Sequence, residues 1–186
     1  MKRFLFVLCI FGTLSAIAQT RAKSYTFDVS NASWLSRYGI TTESDVGASA
    51  LITSKVFKSD DDAVSISFDR GTGLDIRVIR ESSSGTHYLT VPRGASLKVS
   101  GNGVNIKGFK IPGTDGQITS LQLISTNTDP MVGSFALNDE QTWYEWNSGS
   151  NEISALEFQY QSATVCSIHK IVVDYEAPRD VLSPVS

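Results

Sequence analysis

Apolar side chains recur at every second position along most of this chain, and that period decides what it can fold into. Tyr25, Phe27 and Val29 alternate with Thr26 and Asp28; Val64, Ile66 and Phe68 with Ser65 and Ser67; Leu74, Ile76 and Val78 with Asp75 and Arg77. Successive side chains of a strand point to opposite faces, so each run reads as a strand with one apolar and one wet face. Shorter runs follow at Leu97 and Val99, Val104 and Ile106, and Phe109 and Ile111, broken at Gly101, Gly103 and Gly108, where turns or a bulge are expected. Leu121 and Leu123, then Ile153, Leu156 and Phe158, then Ile168, Ile171, Val173 and Tyr175 complete the series. About ten strands at intervals of roughly 8 to 15 residues predict an all-β protein, a single β-sandwich of jelly-roll type. The one helical candidate is Asn31 to Tyr38, a single turn capped by Asn31 or Ser33. Ile40 to Asp61 and Asn127 to Ser150 read as long loops able to carry function.

The two ends carry a different pattern. Lys2 and Arg3 precede an apolar run from Phe4 to Phe11, and Ala16 and Ala18 hold the minus-three and minus-one places of a cleavage site, so residues 1–18 read as an export signal. Cutting there takes 18 of 186 residues and leaves 168; losing Lys2 and Arg3 with no acid moves the formal charge from −3 to −5. Residues 19–175 form the expected sandwich domain, and 176–186, with Pro178 and Pro184 and no periodicity, a disordered tail. An acidic mature chain lacks the basic face that a nucleic acid needs. No later apolar stretch approaches the ~20 residues of a membrane span, so no transmembrane segment is expected in the mature chain. Its place is then the periplasm, the cell surface or the medium. Cys9 stands inside the apolar run behind Leu8, unlike a lipid-attachment cysteine, and leaves with the signal. Cys166 remains alone, so packing without an internal disulfide must hold the exported fold.

Three segments carry a family resemblance. Val64 to Arg77 reads as a strand, a glycine turn and a strand; Tyr88 to Ser100 is similar to a hairpin, with Pro92 in place of its usual aromatic; and Ile118 to Ile124 is followed by a Trp-containing loop and a last strand, Ile168 to Tyr175. Together, over Ala63 to Tyr175, the chain resembles a β-sandwich domain of uncharacterised secreted Bacteroidetes proteins. The resemblance implies a jelly-roll-like sandwich and a cell-envelope or extracellular setting, and no particular reaction.

Function must then come from sites. Trp143, Tyr144 and Trp146 form the densest aromatic group, flanked by Asn147. On a strand Trp143 shares a face with Glu145, and Tyr144 with Trp146, so one large ring is accessible if the other face is core. A flat ring beside amides and carboxylates suits sugars; the competing reading makes the rings sandwich core. Trp34 and Tyr38, four apart, form a second set that either binds ligand or pins the helical turn to the sandwich. Asp60, Asp61 and Asp62 raise structural calcium, but consecutive carboxylates diverge, unlike the alternate acids of a calcium loop, so no cofactor is expected. His87 and His169 show no zinc spacing, no serine elbow is present, and the positions of Glu81, Glu140, Glu145 and Glu157 do not define a carboxylate pair. The composite reading is a secreted, non-catalytic module that binds polysaccharide or another envelope ligand through Trp143, Tyr144, Trp146 and Asn147, with Trp34 and Tyr38. The alternative is a structural or assembly protein of the envelope that meets a surface protein; glycoside hydrolase is the third reading.

Overall fold

In the computed structural model, residues 20–41, 49–53, 55–71, 74–116 and 118–178 are described. The export segment 1–18 and residues 179–186 of the expected tail lie outside them. The fold is all-β, in three antiparallel sheets. The front sheet runs β1 (Thr20–Asp28), β14 (Lys170–Pro178), β8 (Asn105–Pro112), β11 (Trp143–Asn147), β10 (Ala136–Leu137). The back sheet runs β3 (Val56–Lys58), β4 (Val64–Asp69), β7 (Ser96–Gly101), β12 (Ala155–Tyr160), β9 (Leu121–Thr126). A lateral sheet holds β13 (Cys166–Ile168), β6 (His87–Val91), β5 (Arg77–Arg80) and β2 (Ser49–Leu51).

Fourteen strands among the described residues exceed the ten expected, for two reasons. Both stretches read as loops contain short strands, β2 and β3 in one, β10 and β11 in the other. Several long strands also bend from one sheet into another. β4 pairs with β7 from Val64↔Gly101 to Asp69↔Ser96, and β5 with β6 from Arg77↔Thr90 to Arg80↔His87. Residues 64–80 and 87–101 are therefore two arms of one long hairpin whose tip lies between Arg80 and His87. The segments β12 and β13 add a third bent arm beside β7 and β6. Neither strand pair expected from the resemblance is a hairpin: β4 continues into β5, and β6 into β7, around the bend. The last strand also runs to Pro178, so Glu176 to Pro178 are ladder residues rather than tail.

The bend has a covalent cause. Pro92 has no N–H to offer a ladder, and Gly94 takes φ +80°. Its N–H donates to the Tyr160 carbonyl at 2.8 Å, while Tyr160 N–H donates to Ala95 O at 3.0 Å, so the third arm satisfies the turned backbone. Gly71, at φ +56°, crosses so close that a Cβ there would stand 2.5 Å from the Gly94 carbonyl oxygen.

Front and back sheets pack through rings. Phe109 of β8 stacks on Phe158 of β12 with centroids 4.3 Å apart, and Phe135 closes on both. At the other end the expected helical turn forms as α1 (Ala32–Ser36), where the Asn31 side chain accepts the Trp34 N–H. That turn drives Trp34 between Phe27 and Phe57.

The three consecutive aspartates diverge and each finds its own cation. Arg37 reaches Asp60 at 2.6 Å, Lys23 reaches Asp61 at 2.8 Å, and Lys58 reaches Asp62 at 2.8 Å. Asp61 also accepts from Tyr175, Ser59 and the Ala63 N–H, tying the β3–β4 turn to β1 and β14. Lys23, with these donors, holds its carboxyl well below the usual carboxylate range, and burial together with Asp61 pushes the Tyr175 phenol up to about 12.

Two outcomes follow for stability. Gly71→Ala combines a left-handed φ with a backbone clash and is expected to cost about 2 kcal/mol in urea unfolding; an unchanged midpoint would contradict the crossing. Asp61 has a depressed folded value, so its contribution is complete above about 3.8 and is lost as pH falls through that depressed value. The stability gap between wild type and Asp61→Asn is therefore full at neutral pH and narrows on acidification.

Candidate functional site

Strand β11 lies between β8 and the short β10, so the alternation of its side chains sorts the aromatic group into two environments. Tyr144 and Trp146 face inward. Trp146 is fully buried, its Nε1 donating to the Val132 carbonyl at 2.7 Å, and Gly133 passes so near that a Cβ would stand 2.5 Å from that nitrogen. Tyr144 is half-buried against Phe135. The expectation of an exposed Trp146 is therefore corrected: the segment before β10 folds back over the indole and consumes its one donor. Trp34, at 7% exposure beneath Tyr25 and Tyr38, pins the helical turn to the sandwich, the structural one of its two expected roles. Tyr38 is half-buried, its hydroxyl donating to the Lys58 carbonyl and accepting the Lys58 N–H. This pair fastens α1 to β3 and offers no stacking face.

Trp143, Glu145 and Asn147 face outward, and pairing places them in rows across three strands. Glu145 stands opposite Lys110, and Lys110 opposite Val172; Asn147 stands opposite Gly108, and Gly108 opposite Asp174. Trp143 stands opposite Pro112, two residues along β8 from Lys110, and Lys170 two residues along β14 from Val172. From strand spacing and rise, these rows cover about 10 Å by 14 Å. A Cβ on Gly108 would stand 2.8 Å from Asp174 Oδ2 and 3.5 Å from Asn147 Oδ1, so the bare glycine lets both oxygens lean over the sheet.

Partners divide this face. Lys110 passes over its opposite number Glu145 and pairs with Asp174 at 2.9 Å. The Lys170 ammonium lies 5.2 Å from the centroid of the Trp143 ring. Among the described residues, the Trp143 indole N–H, the Glu145 carboxylate and the Asn147 amide make no hydrogen bond or ion pair within the chain. A half-buried ring bordered by unengaged donors and acceptors can take an apolar sugar face and bond its hydroxyls. Trp143 and Asn147 lie on one face of β11 with Glu145 between them. The residues that sequence reasoning missed are Lys110, Lys170, Asp174 and Gly108. Their signal was the polar alternate positions of β8 and β14, but nothing local says that those strands flank β11.

The remaining titratable groups lie elsewhere. Asp115 is buried, which raises its pKa, and it accepts the His169 backbone N–H at 2.9 Å and the ring Nδ1 at 2.8 Å. Among the described residues this carboxylate is the one side chain bonded to the His169 imidazole. His87 is buried at the start of β6, and Cys166 is buried, its thiol pushed up by burial and by the Asp115 charge. Glu145 lies on the front sheet and Glu157 on the back one, where Lys98 meets it, while Glu81 holds Ser84 just beyond β5. No group of three or more His, Cys, Asp or Glu among the described residues is placed to hold a metal ion. Nor, among them, is any helix long and apolar enough to cross a membrane.

No protein-family model matches the chain, and no curated protein does.

The division of the rings is measurable. Acrylamide should quench Trp143 fluorescence in a variant lacking the other two indoles, and leave Trp34 and Trp146 dark to the quencher. Trp146→Ala is expected to cost about 3–5 kcal/mol in urea unfolding. Trp143→Ala should cost under about 1 kcal/mol.

Proposed function

We propose that this protein is an exported, non-catalytic β-sandwich of jelly-roll type that binds carbohydrate on the outer face of its front sheet, through Trp143, Glu145 and Asn147 with Lys110 and Asp174 beside them. The supporting observation is a contrast in how polar groups are used. The three acids of the β3–β4 turn are each matched to a cation, whereas among the described residues the Trp143 indole N–H, the Glu145 carboxylate and the Asn147 amide make no hydrogen bond or ion pair, beside the Lys110–Asp174 pair. A fold that engages its charges elsewhere and leaves an indole, a carboxylate and an amide open on one flat patch offers them to something outside. The flatness fits an extended chain of sugars better than a small molecule, which needs a cleft. Export is supported by Lys2, Arg3, the run Phe4 to Phe11 and the Ala16/Ala18 spacing. The resemblance to secreted Bacteroidetes sandwich domains belongs to the same proposal.

A second reading, an assembly protein of the envelope, draws on the lateral sheet. There Leu74 is 74% exposed and Val165 48%, around a hollow of about 310 Å³ that Asp75, Arg77 and Thr90 also line. Exposed apolar residues rimmed by charges suit a protein partner.

The two readings separate in one experiment. Affinity electrophoresis through gels cast with a panel of neutral and acidic polysaccharides should retard the wild type, and Trp143→Ala should weaken retention about tenfold while Leu74→Asp leaves it unchanged. Retention unaffected by Trp143→Ala, or absent for every polysaccharide, would remove the carbohydrate reading.

A further inference from the structure

The charge distribution on the front face narrows the class of sugar, an inference that rests on the carbohydrate reading above. Lys170 opens β14 directly opposite Asp28 in the β1 ladder, the position where a lysine and an aspartate ordinarily pair. They do not pair. Asp28 Oδ1 is taken by the backbone N–H and hydroxyl of Ser30, and the Lys170 ammonium turns the other way, across Pro112, to lie over the Trp143 ring. Among the described residues Lys170 makes no hydrogen bond and no ion pair. The other two lysines projecting from this region are committed, Lys110 to Asp174 at 2.9 Å and Lys107 to Glu176 at 3.5 Å.

The face is therefore polarised. At one end, beside Trp143, stands a cation that makes no ion pair, with the buried Asp115 as a more distant carboxylate; at the other stand Glu145, Asn147 and the Asp174 oxygen above Gly108 that Lys110 engages. A sugar ring seated on the indole would displace the Lys170 ammonium from over the ring to its edge, bringing its substituents to that ammonium on one side and to acceptors on the other. A neutral sugar leaves that ammonium with no counter-charge nearer than Asp115. A sugar bearing a carboxylate supplies it, and its hydroxyls are the donors that Glu145, Asn147 and Asp174 can accept.

We propose that the ligand is an acidic polysaccharide, a chain containing uronic acid units, whose carboxylate pairs with Lys170 while the ring bearing it stacks on Trp143.

The test uses the chain from residue 19, with polygalacturonate and dextran as probes in affinity electrophoresis and calorimetry. The wild type is expected to bind polygalacturonate at least about tenfold more tightly than dextran, and Lys170→Met to lose that preference. Lys170→Arg should retain it. Added sodium chloride should weaken polygalacturonate binding by the wild type more than by Lys170→Met. Urea unfolding of each variant shows that the sheet is intact. Equal binding of both probes, or a preference that survives Lys170→Met, overturns the acidic-ligand proposal and leaves the carbohydrate reading standing. Binding of neither probe or any other polysaccharide overturns both.

Discussion

The close crossing of Gly71 over the Gly94 carbonyl is the constraint on which the rest of the architecture depends. A backbone can pass at that distance only where no Cβ intervenes, and both residues sit at positive φ. With Pro92 withholding a donor beside them, three neighbouring strands turn together, and the ladder is handed from β4, β7 and β12 to β5, β6 and β13. Because the third arm bonds the turned backbone through Tyr160, the corner carries its polar groups without leaving them unpaired. The bend wraps the lateral sheet around the same core as the front and back sheets, so one continuous cluster of buried side chains serves all three.

A stable corner leaves the front sheet free to be one-sided. Its inner face supplies Phe27, Phe109, Ile111, Trp146, Ile171 and Val173 to the core, all at or near zero exposure. Its outer face then has no packing duty, and what stands there is set by cross-strand pairing. Burying Trp146 is what makes Trp143 available: with a period of two, a strand that gives one indole to the core must present the indole three residues earlier to the other side. The charged groups divide in the same way. Those around Asp61 join turn to sheet and add stability, whereas those around Trp143 are left to the solvent side.

Much of this was legible beforehand. Alternation located the strands containing Phe27, Ile66, Val99, Phe109, Phe158 and Val173, and the Asn31 cap located the one helical turn, because these signals are local. Alternation also sorted Trp143 with Glu145 and Tyr144 with Trp146. It was silent on which pair was inside, since that depends on the segment around Val132 and Gly133 folding back over one face. It was silent too on the bend: a proline and a glycine between two apolar runs read equally well as a hairpin tip, and only the partners of each run distinguish the two.

The alternation of side chains is enough to make the chain β, to locate its longer strands and to say which side chains share a face, because backbone geometry converts spacing into direction without reference to anything distant. Tertiary structure decided the order of strands in each sheet, the burial of Trp34 and Trp146, and the meeting of Trp143, Lys110, Asp174 and Lys170 on one surface. Those residues lie on three strands far apart in sequence, and only the hydrogen-bonded ladder of β11, β8 and β14 brings them into adjacent rows.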